Sequence, residues 1–353
     1  MDCLCIAGPV HILAKNQVPH LTGVACLRAG TIHSTPMIIL TDNIAFAQRC
    51  IPQGNQWGNQ WQACRVSTLT SPLATLAAEL FQSDSIMRTE IDAGEHWDYL
   101  FAVDCARQSQ FDVLSRLAVS GSELPGKTIC CAASGNQFHG FKGRGWKACR
   151  GNIHLSAFVK PEREIPGAAV GFIIAGVIAA LQTVASFDLQ GRTPAIKWVN
   201  DILVQDAKVG GVLARLQTQG KITESAVVGI GLNVEQKPDV ERDPYVPGVA
   251  ALADFATTRD ACGYSDVFPR LLDLLGHNLE RLNQGGYAEL LDIYRQHSLI
   301  LNRKVTICED TRKPSADVIA SGVVESIGPS LELHLRDHPK PVSRGRLMLE
   351  TIS

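Results

Sequence analysis

The chain has 353 residues, of which 45% are hydrophobic and 19% are charged. This composition provides enough apolar material for sizeable cores, and it excludes a long disordered, collagen-like or coiled-coil chain. Lys and Arg total 33 against 35 Asp and Glu, and the net charge of -2 gives no overall positive field for nucleic acid or anionic lipid. At about 100–200 residues per domain, the length predicts two or three domains.

The cysteine pattern and the N-terminus bear on the cell compartment. Eleven cysteines, including the adjacent pair Cys130 and Cys131, form neither a CxxC pair nor an evenly spaced framework. We therefore expect reduced thiols in the cytoplasm. The apolar N-terminus has an acidic residue and no basic residue before its apolar stretch, which does not favour a signal peptide.

Residues 1 to about 95 carry no recognisable chemistry. They contain β-type runs at Met37–Leu40 and Cys64–Leu69 and a helix-like stretch at Ser71–Phe81. We predict an N-terminal domain of unknown role over residues 1–95, for instance a docking or acceptor-recognition domain. The alternative is that its strands complete the sheet of the next domain or cover its pocket.

From about residue 97, strand and helix patterns alternate. YLFAVD and KTICCAA are typical of strands, with the helix-like SQFDVLSRLA between them, and NIHLSAFV, AIKWVNDILV, KVGGVLARLQ and AVVGIGLNV follow as further strands. The apolar run Ala168–Leu181 is shorter than the ~20 residues that span a bilayer, so it predicts a buried helix and no membrane partner. An amphipathic helix follows, with one apolar face: Phe268, Leu271, Leu272, Leu275, Leu279 and Leu282.

The segment IKWVNDILVQDAKVGGVL carries the most informative pattern in the chain. It places four polar residues among apolar ones: Lys197, Asn200, Asp201 and Lys208. Lysines and a carboxylate near a β-turn are costly to bury without partners, so we expect them to meet solvent or an anionic ligand. Gly210 and Gly211 would let a ligand approach the backbone closely. From these residues alone, an ordinary charged hairpin stays open as an alternative.

Three motifs resemble those of biotin protein ligases, in the superfamily that also contains lipoate ligases and octanoyl transferases. KWVND is similar to the family's KWPND, DAKVGGVL to its K-hydrophobic-GGIL segment, and GIGLNV to its strand GIGxNV. GRGW before GNIHLS, and a C-terminal segment that begins LNRKVTI, add to the resemblance. It covers about residues 97–353, and residues 1–95 show no winged-helix pattern of the repressor-type members.

The resemblance implies the fold class and the reaction. We expect an α+β fold with a mixed-sheet catalytic domain over residues 96–300, helices on one side of that sheet, and a small C-terminal β-barrel over residues 301–353. The implied enzyme is an ATP-dependent ligase in which a carboxylic acid attacks the α-phosphate, giving an acyl-adenylate and pyrophosphate. A nucleophile, in the biotin case a lysine of a carrier protein, then takes the acyl group. ATP and Mg²⁺ are the expected cofactors.

The resemblance also assigns residues to the adenylation chemistry. Lys208 matches the family's catalytic lysine, and its ammonium group is expected to bridge the acid carboxylate and the α-phosphate. Asp201 is expected to help hold Mg²⁺ or to orient a lysine. The predicted nucleotide contacts include a loop suited to a lid over the adenylate. They are Lys142, Gly143, Arg144, Trp146, Lys197, Asn200 and Asn233.

The acid-recognition residues depart from the family pattern. The family's GRGRRGR-type loop is one residue shorter here, with aromatic residues and a histidine in place of arginines, and Gln108–Gln110 stand where the family has Ser-Thr-Asn. The predicted acid pocket comprises Gln108, Ser109, Gln110, Gln137, His139, Gly140, Gly210 and Gly211. Biotin transfer is the first prediction, and activation of a different acid for amide or thioester formation is the alternative. A non-catalytic regulatory protein that binds the nucleotide or the acid is the third.

Two further properties are not indicated by the sequence. It contains no HExxH motif, and we predict no zinc site from it. The oligomeric state is likewise left open.

Overall fold

The computed structural model describes residues 36–51, 61–92, 96–240, 244–246, 248–310 and 317–349. Expectations placed on residues 1–35 and on the GNQWGNQ turn fall outside these described residues. Residues 34–353 form one compact unit. Its strands are β1 (Met37–Thr41), β2 (Gln62–Arg65), β3 (Ser85–Ile91), β4 (Tyr99–Ala106), β5 (Thr128–Gly135), β6 (Ile153–Val159), β7 (Arg163–Glu164), β8 (Pro194–Lys197), β9 (Asp201–Val204), β10 (Ala207–Gln219), β11 (Ile222–Leu232), β12 (Lys304–Cys308), β13 (Val318–Ile327), β14 (Leu333–Leu335) and β15 (Arg346–Leu349). Its α-helices are α1 (Ile44–Arg49), α2 (Leu73–Leu80), α3 (Gln110–Val119), α4 (Ala168–Ala185), α5 (Tyr264–Asn283) and α6 (Tyr287–Gln296).

The main sheet has eleven strands and is mixed, as predicted. Its order is β2-β3-β1-β4-β5-β6-β11-β10-β9-β8, with β7 beside β11. The β1–β4 and β4–β5 pairs are parallel, whereas the other pairs are antiparallel. The long antiparallel pair β10–β11 brings the DAKVGGVL and GIGLNV segments side by side, with Gly211 opposite Gly231.

The predicted boundary at residue 95 falls inside this sheet. β1 pairs in parallel with β4, Ile38 opposite Tyr99, and β3 pairs with the other edge of β1. The described residues before 95 therefore extend the catalytic sheet by three strands, which is the alternative that the sequence left open. Their role in the reaction stays a prediction.

Helices pack on both faces of the sheet, so the prediction of helices on one side is wrong. Along β4, Leu100 and Ala102 belong to one apolar cluster, and Phe101 and Val103 belong to a second one. Residues of α4 and α5 complete the first cluster, and residues of α2 and α3 complete the second. The nearly continuous apolar sequence YLFAVD is typical of a strand that is buried on both faces.

The apolar run at residues 168–181 lies in helix α4, as predicted. Among the described helices, α4 alone is long and apolar enough to span a membrane by composition, and 67% of it is buried within the protein. Gly176 lets it approach the sheet closely, because a Cβ there would lie 2.8 Å from the side chains of Val212 and Val228. We interpret α4 as the core helix that supports β10 and β11.

The C-terminal residues form a four-stranded antiparallel sheet of order β14-β13-β12-β15. The strands predicted in this region are confirmed, and the closure of the sheet into a barrel stays a prediction. The indole Nε1 of Trp198 donates to the Leu331 carbonyl over 2.7 Å, and Val305 and Leu333 belong to the same apolar cluster as α4. The small sheet is thus joined to the catalytic domain near the KWVND motif.

Candidate active site

The KWVND motif forms the tight connection between β8 and β9. Lys197 lies opposite Asp201 in the hairpin, and Asn200 fastens the turn to β10. The Asn200 Nδ2 donates to the Val212 carbonyl over 2.5 Å, and the Val212 amide donates back to the Asn200 carbonyl over 3.0 Å. This local bonding fixes Asp201 at the first position of β9, where it faces β10.

Lys208 and Asp201 form an ion pair at the start of β10. The Lys208 Nζ lies 2.6 Å from the Asp201 Oδ1, and the two side chains are 22% and 18% exposed. Gly211 leaves room for this pair, because a Cβ there would lie 3.4 Å from the Lys208 Nζ and from the Asp201 Oδ1. Asp201 therefore holds the ammonium group in place while the group still reaches solvent-accessible space.

Two neighbouring cavities meet at Lys208. The first is lined by residues of α3, β6, β10, β11 and the loop before β6, and the second by that loop, Asn233, Val249 and Arg346. Four residues line both cavities: Arg144, Gly145, Trp146 and Lys208. The ammonium group of Lys208 can therefore contact a ligand in either cavity.

The loop predicted to act as a lid folds as a small hairpin. The Gly140 amide donates to the Arg144 carbonyl over 2.6 Å, and the Trp146 amide donates to the Phe138 carbonyl over 2.9 Å. Both cations of the loop approach Asp310 just after β12, with Arg144 at 3.1 Å and Lys142 at 3.5 Å. The loop is thus tied to the C-terminal sheet, and Lys142 lines neither cavity.

The half-buried Trp146, which lines both cavities, is hydrogen-bonded to the buried His154, which lines the first. The Trp146 Nε1 donates to the His154 Nδ1 over 3.2 Å, and the His154 Nε2 donates to the Cys149 carbonyl over 3.1 Å. Burial lowers the pKa of His154 to about 4, so the imidazole is neutral at ordinary pH. The indole packs on Gly231, where a Cβ would lie 2.6 Å from the ring. The glycine of the GIGLNV strand is needed because the indole occupies that space.

The wall of the first cavity contains a histidine that is paired with a carboxylate. The His139 Nε2 lies 2.8 Å from an oxygen of Asp112, and its Nδ1 lies 3.0 Å from the Gly140 carbonyl. Partial burial opposes protonation of His139, but the Gly140 carbonyl and Asp112 outweigh it and raise the pKa. His139 therefore supplies a cation at the cavity wall more readily than an isolated histidine would.

Asn233 and Lys197, which were predicted to contact the nucleotide, and Arg346 differ from one another in their surroundings. The Asn233 Nδ2 donates to the Ala250 carbonyl over 3.1 Å, but its buried Oδ1 has no partner within the described residues. Lys197 is buried and donates to the Tyr245 carbonyl, and it lines neither cavity. Arg346 of β15 lies over the Tyr245 ring, 3.7 Å from its centroid, and lines the second cavity.

The segment GSELPGKT at residues 121–128 matches the spacing of a phosphate-binding P-loop but not its context. Such a loop leads from a strand into a helix, whose N-terminus faces the phosphates. Here the segment leads from α3 into β5. We therefore assign it no nucleotide site.

Comparisons with known proteins agree with this geometry. Residues 113–233 match the model of the biotin/lipoate A/B protein ligase family. The chain is 31% identical over 222 residues to the biotin–acetyl-CoA-carboxylase ligase of Mycobacterium tuberculosis, covering 62% of this chain and 77% of that relative. The chain belongs to the biotin protein ligase family.

Other members of the family show the same relationship more distantly. The bifunctional ligase/repressor BirA of Bacillus subtilis is 30% identical over 134 residues, covering 36% of this chain and 40% of that protein. The structure of the Aquifex aeolicus biotin protein ligase in complex with biotin and ATP has a TM-score of 0.55 at 18% identity, covering 71% of this chain and 98% of that one. This structural likeness shows the shared fold.

The structure brings together some of the predicted acid-pocket residues of this biotin protein ligase family member. Ser109, His139, Gly140 and Gly211 line the first cavity. Four others do not line it: Gln108, Gln110, Gln137 and Gly210. Gly210 instead faces β11, where a Cβ would lie 2.9 Å from the Gly231 carbonyl oxygen.

Three residues of the site were missed by sequence reasoning. Asp112 lies in the first turn of α3, His154 lies within β6, and Arg346 lies at the start of β15. The alternation of polar and apolar residues in NIHLSAFV could have indicated His154, because alternate residues of a strand share a face. Asp112 and Arg346 carry no local signal of this kind.

Proposed function

We propose that this protein activates biotin with ATP and transfers the biotinyl group to a lysine of a carrier protein. The observation that carries the proposal is the position of Lys208, which Asp201 holds at the junction of the two cavities. A carboxylate and a triphosphate repel each other, so a fixed cation between them favours their approach.

In the first step, a carboxylate oxygen of biotin attacks the α-phosphorus of ATP and pyrophosphate leaves. The negative charge that develops on the α-phosphate lies beside Lys208, whose ammonium group stabilises it. In the second step, the neutral amine of the acceptor lysine attacks the acyl carbon. AMP then leaves, and the amine loses its proton as the amide forms.

The second cavity suits the nucleotide because cations and an unpartnered acceptor meet there. Arg144, Lys208 and Arg346 offer positive charge to phosphates, and the buried Oδ1 of Asn233 can accept a hydrogen bond that no described residue provides. Mg²⁺ prefers carboxylate and amide oxygens, and Asp201, which lines the first cavity beside Lys208, would hold it. There it would neutralise phosphate charge and favour the departure of pyrophosphate.

The first cavity suits the acid. Ser109 and Gly211 line it, and His139 supplies a cation in place of the family's guanidinium groups. A ureido ring needs a donor and an acceptor together, and the Ser109 hydroxyl can serve as either, so we propose Ser109 as one of its partners.

Transfer to a carrier protein tests this function. The full-length protein is incubated with biotin, ATP, Mg²⁺ and the biotin-carrier domain of an acetyl-CoA carboxylase, and the carrier is weighed by mass spectrometry. We expect one biotinyl group per carrier, none on a carrier whose acceptor lysine is replaced by arginine, and one AMP released per transfer. A folded preparation that leaves the carrier unmodified would refute the proposed transfer.

A further inference from the structure

A second cluster of chemically reactive side chains lies on α5 and on the segment before β4. It consists of His96, Asp273, His277 and Glu280, and none of these residues lines either cavity of the candidate active site. Asp273, His277 and Glu280 share one face of the helix, since residues three and four apart are neighbours on a helix surface. His96 reaches the same point from outside the helix.

The distances in this cluster match those of a metal site. The His96 Nε2 lies 3.2 Å from the His277 Nδ1, and the His277 Nδ1 lies 3.4 Å from the Asp273 Oδ1. One ligand atom of each of the three residues lies within 4.8 Å of the others. In a tetrahedral zinc site with bonds of ~2.0–2.1 Å, neighbouring ligand atoms are ~3.3 Å apart. We infer that His96, Asp273 and His277 bind a divalent transition-metal ion, with Zn²⁺ as the best match.

The surrounding structure holds His96 in position. A Cβ on Gly276 would lie 2.4 Å from the His96 Cγ, so only glycine at this place in α5 lets the imidazole lie against the helix. Glycine is otherwise unfavourable in the interior of a helix. The adjacent Trp97 is buried, and its Nε1 donates to the Leu272 carbonyl over 3.0 Å. Trp97 therefore fixes the chain directly after His96, the proposed metal ligand.

Glu280 occupies the position of an outer partner. Its Oε2 lies 3.7 Å from the His96 Nδ1, on the far side of the ring from the Nε2 that faces His277. A carboxylate behind a ligating imidazole is the usual arrangement, because it sets the tautomer and the orientation of the ring. Without metal, the His277 Nδ1 donates its proton to the Asp273 carbonyl over 2.9 Å, and metal binding would replace this proton.

Within the described residues, the proposed ion would have three protein ligands and a fourth position for water. The side chains of His277 and Asp273 are 62% and 57% exposed, so the ion can enter without unfolding. Bound there, it would connect the start of β4 to α5. We expect it to raise the thermal midpoint of the protein, because an ion that binds the folded state alone stabilises that state.

Metal binding to the full-length, chelator-treated protein tests the site. Zn²⁺ is titrated by calorimetry into wild type, His277→Gln, Glu280→Gln and His334→Gln, the last of which removes an exposed histidine outside the cluster. We expect one Zn²⁺ per chain in wild type and in His334→Gln, with a rise in thermal midpoint in both. His277→Gln should lose the binding and the rise, and Glu280→Gln should bind ~10–100-fold more weakly.

Co²⁺ spectra distinguish this site from the cysteines. Co²⁺ held by two imidazoles and a carboxylate shows ligand-field bands without thiolate charge-transfer absorption, and we expect that spectrum in wild type and its loss in His277→Gln. The exposed position of His277 makes this variant a safe substitution, and circular dichroism verifies its fold. Absence of binding in wild type, equal binding in His277→Gln, or a thiolate charge-transfer band would each overturn the proposal.

Discussion

Lys208 lies where the two cavities of the site meet, and its ammonium group is fixed by a single carboxylate. In Lys208→Ala we expect adenylate formation to slow by about 10²–10³-fold, on the order of the ~2.7–4 kcal/mol lost with one oxyanion-hole donor in other enzymes. The loss of stability should be small beside the loss of activity, because the Lys208–Asp201 pair is partly exposed and water can reach Asp201 in the variant. Single-turnover formation of the adenylate and urea unfolding measure the two effects.

Lys221→Ala is the matched control for this substitution. Its side chain is 83% exposed in the turn between β10 and β11, far along both strands from the ion pair. It should retain full adenylation. If Lys208→Ala were as active as Lys221→Ala, or lost activity only because it unfolds, the role assigned to Lys208 would be wrong.

His154 predicts a dependence of stability on pH. Its pKa in the folded protein is about 4, below the ~6.5 of an unfolded histidine, so the unfolded chain binds the proton first as pH falls. This contribution to stability is therefore complete above pH ~6.5 and is lost progressively as pH falls toward about 4. Urea unfolding across this range should show the loss in wild type and a shallower loss in His154→Gln. Equal slopes in the two proteins would argue against a neutral buried His154.

The loop before β6 is held by an ion pair with a residue just after β12 of the C-terminal sheet. Arg144 and Lys142 both pair with Asp310, and Arg144 also lines the second cavity, which we propose for the nucleotide. The Asp310 carboxylate therefore competes with phosphates for Arg144. In Asp310→Asn we expect the KM for ATP to fall by about 1.4–5-fold, which corresponds to the ~0.2–1 kcal/mol of a partly exposed ion pair.

Glu309→Gln is the control for Asp310→Asn, because it removes the neighbouring exposed charge and leaves the loop contacts in place. Steady-state adenylation at varied ATP concentration compares the two variants. A KM that stays constant or rises in Asp310→Asn would show that the contact supports nucleotide binding rather than competing with it.

The elements were predictable from sequence where local patterns decide them, and the contacts between distant segments were not. The alternation in KVTICE predicted β12, and the apolar sequence YLFAVD predicted β4. Arg144 and Asp310 are separated by 166 residues and His96 and His277 by 181, so no local spacing could indicate either pair. The predicted contact of Lys197 with the nucleotide is not supported by the structure, because Lys197 faces the Tyr245 carbonyl.

The strands before residue 95 determine whether the rest of the main sheet, from β4 onward, can fold without them. β4 is apolar on both faces and pairs with β1 along one edge. Removing residues 1–90 would leave that edge unpaired and expose Leu100 and Phe101, and an unpaired apolar edge favours aggregation. We expect this truncation to be insoluble or inactive in adenylation.

A truncation that begins at residue 34 keeps every described strand and serves as the control. It should stay soluble and form the adenylate. Analytical size-exclusion chromatography and adenylate formation compare the two truncations. A soluble and active protein that lacks residues 1–90 would instead support the separate N-terminal domain first predicted from the sequence.

We propose that one site joins a carboxylic acid to the α-phosphate of ATP, and that the acid is biotin. ATP–pyrophosphate exchange tests it most directly, because exchange requires reversible adenylate formation and no acceptor. Across a panel of carboxylic acids with Mg²⁺, we predict that biotin supports rapid exchange by the wild-type protein and that Lys208→Ala abolishes most of it. Exchange with another acid but not with biotin, or no exchange with any acid from a folded preparation, would contradict this account.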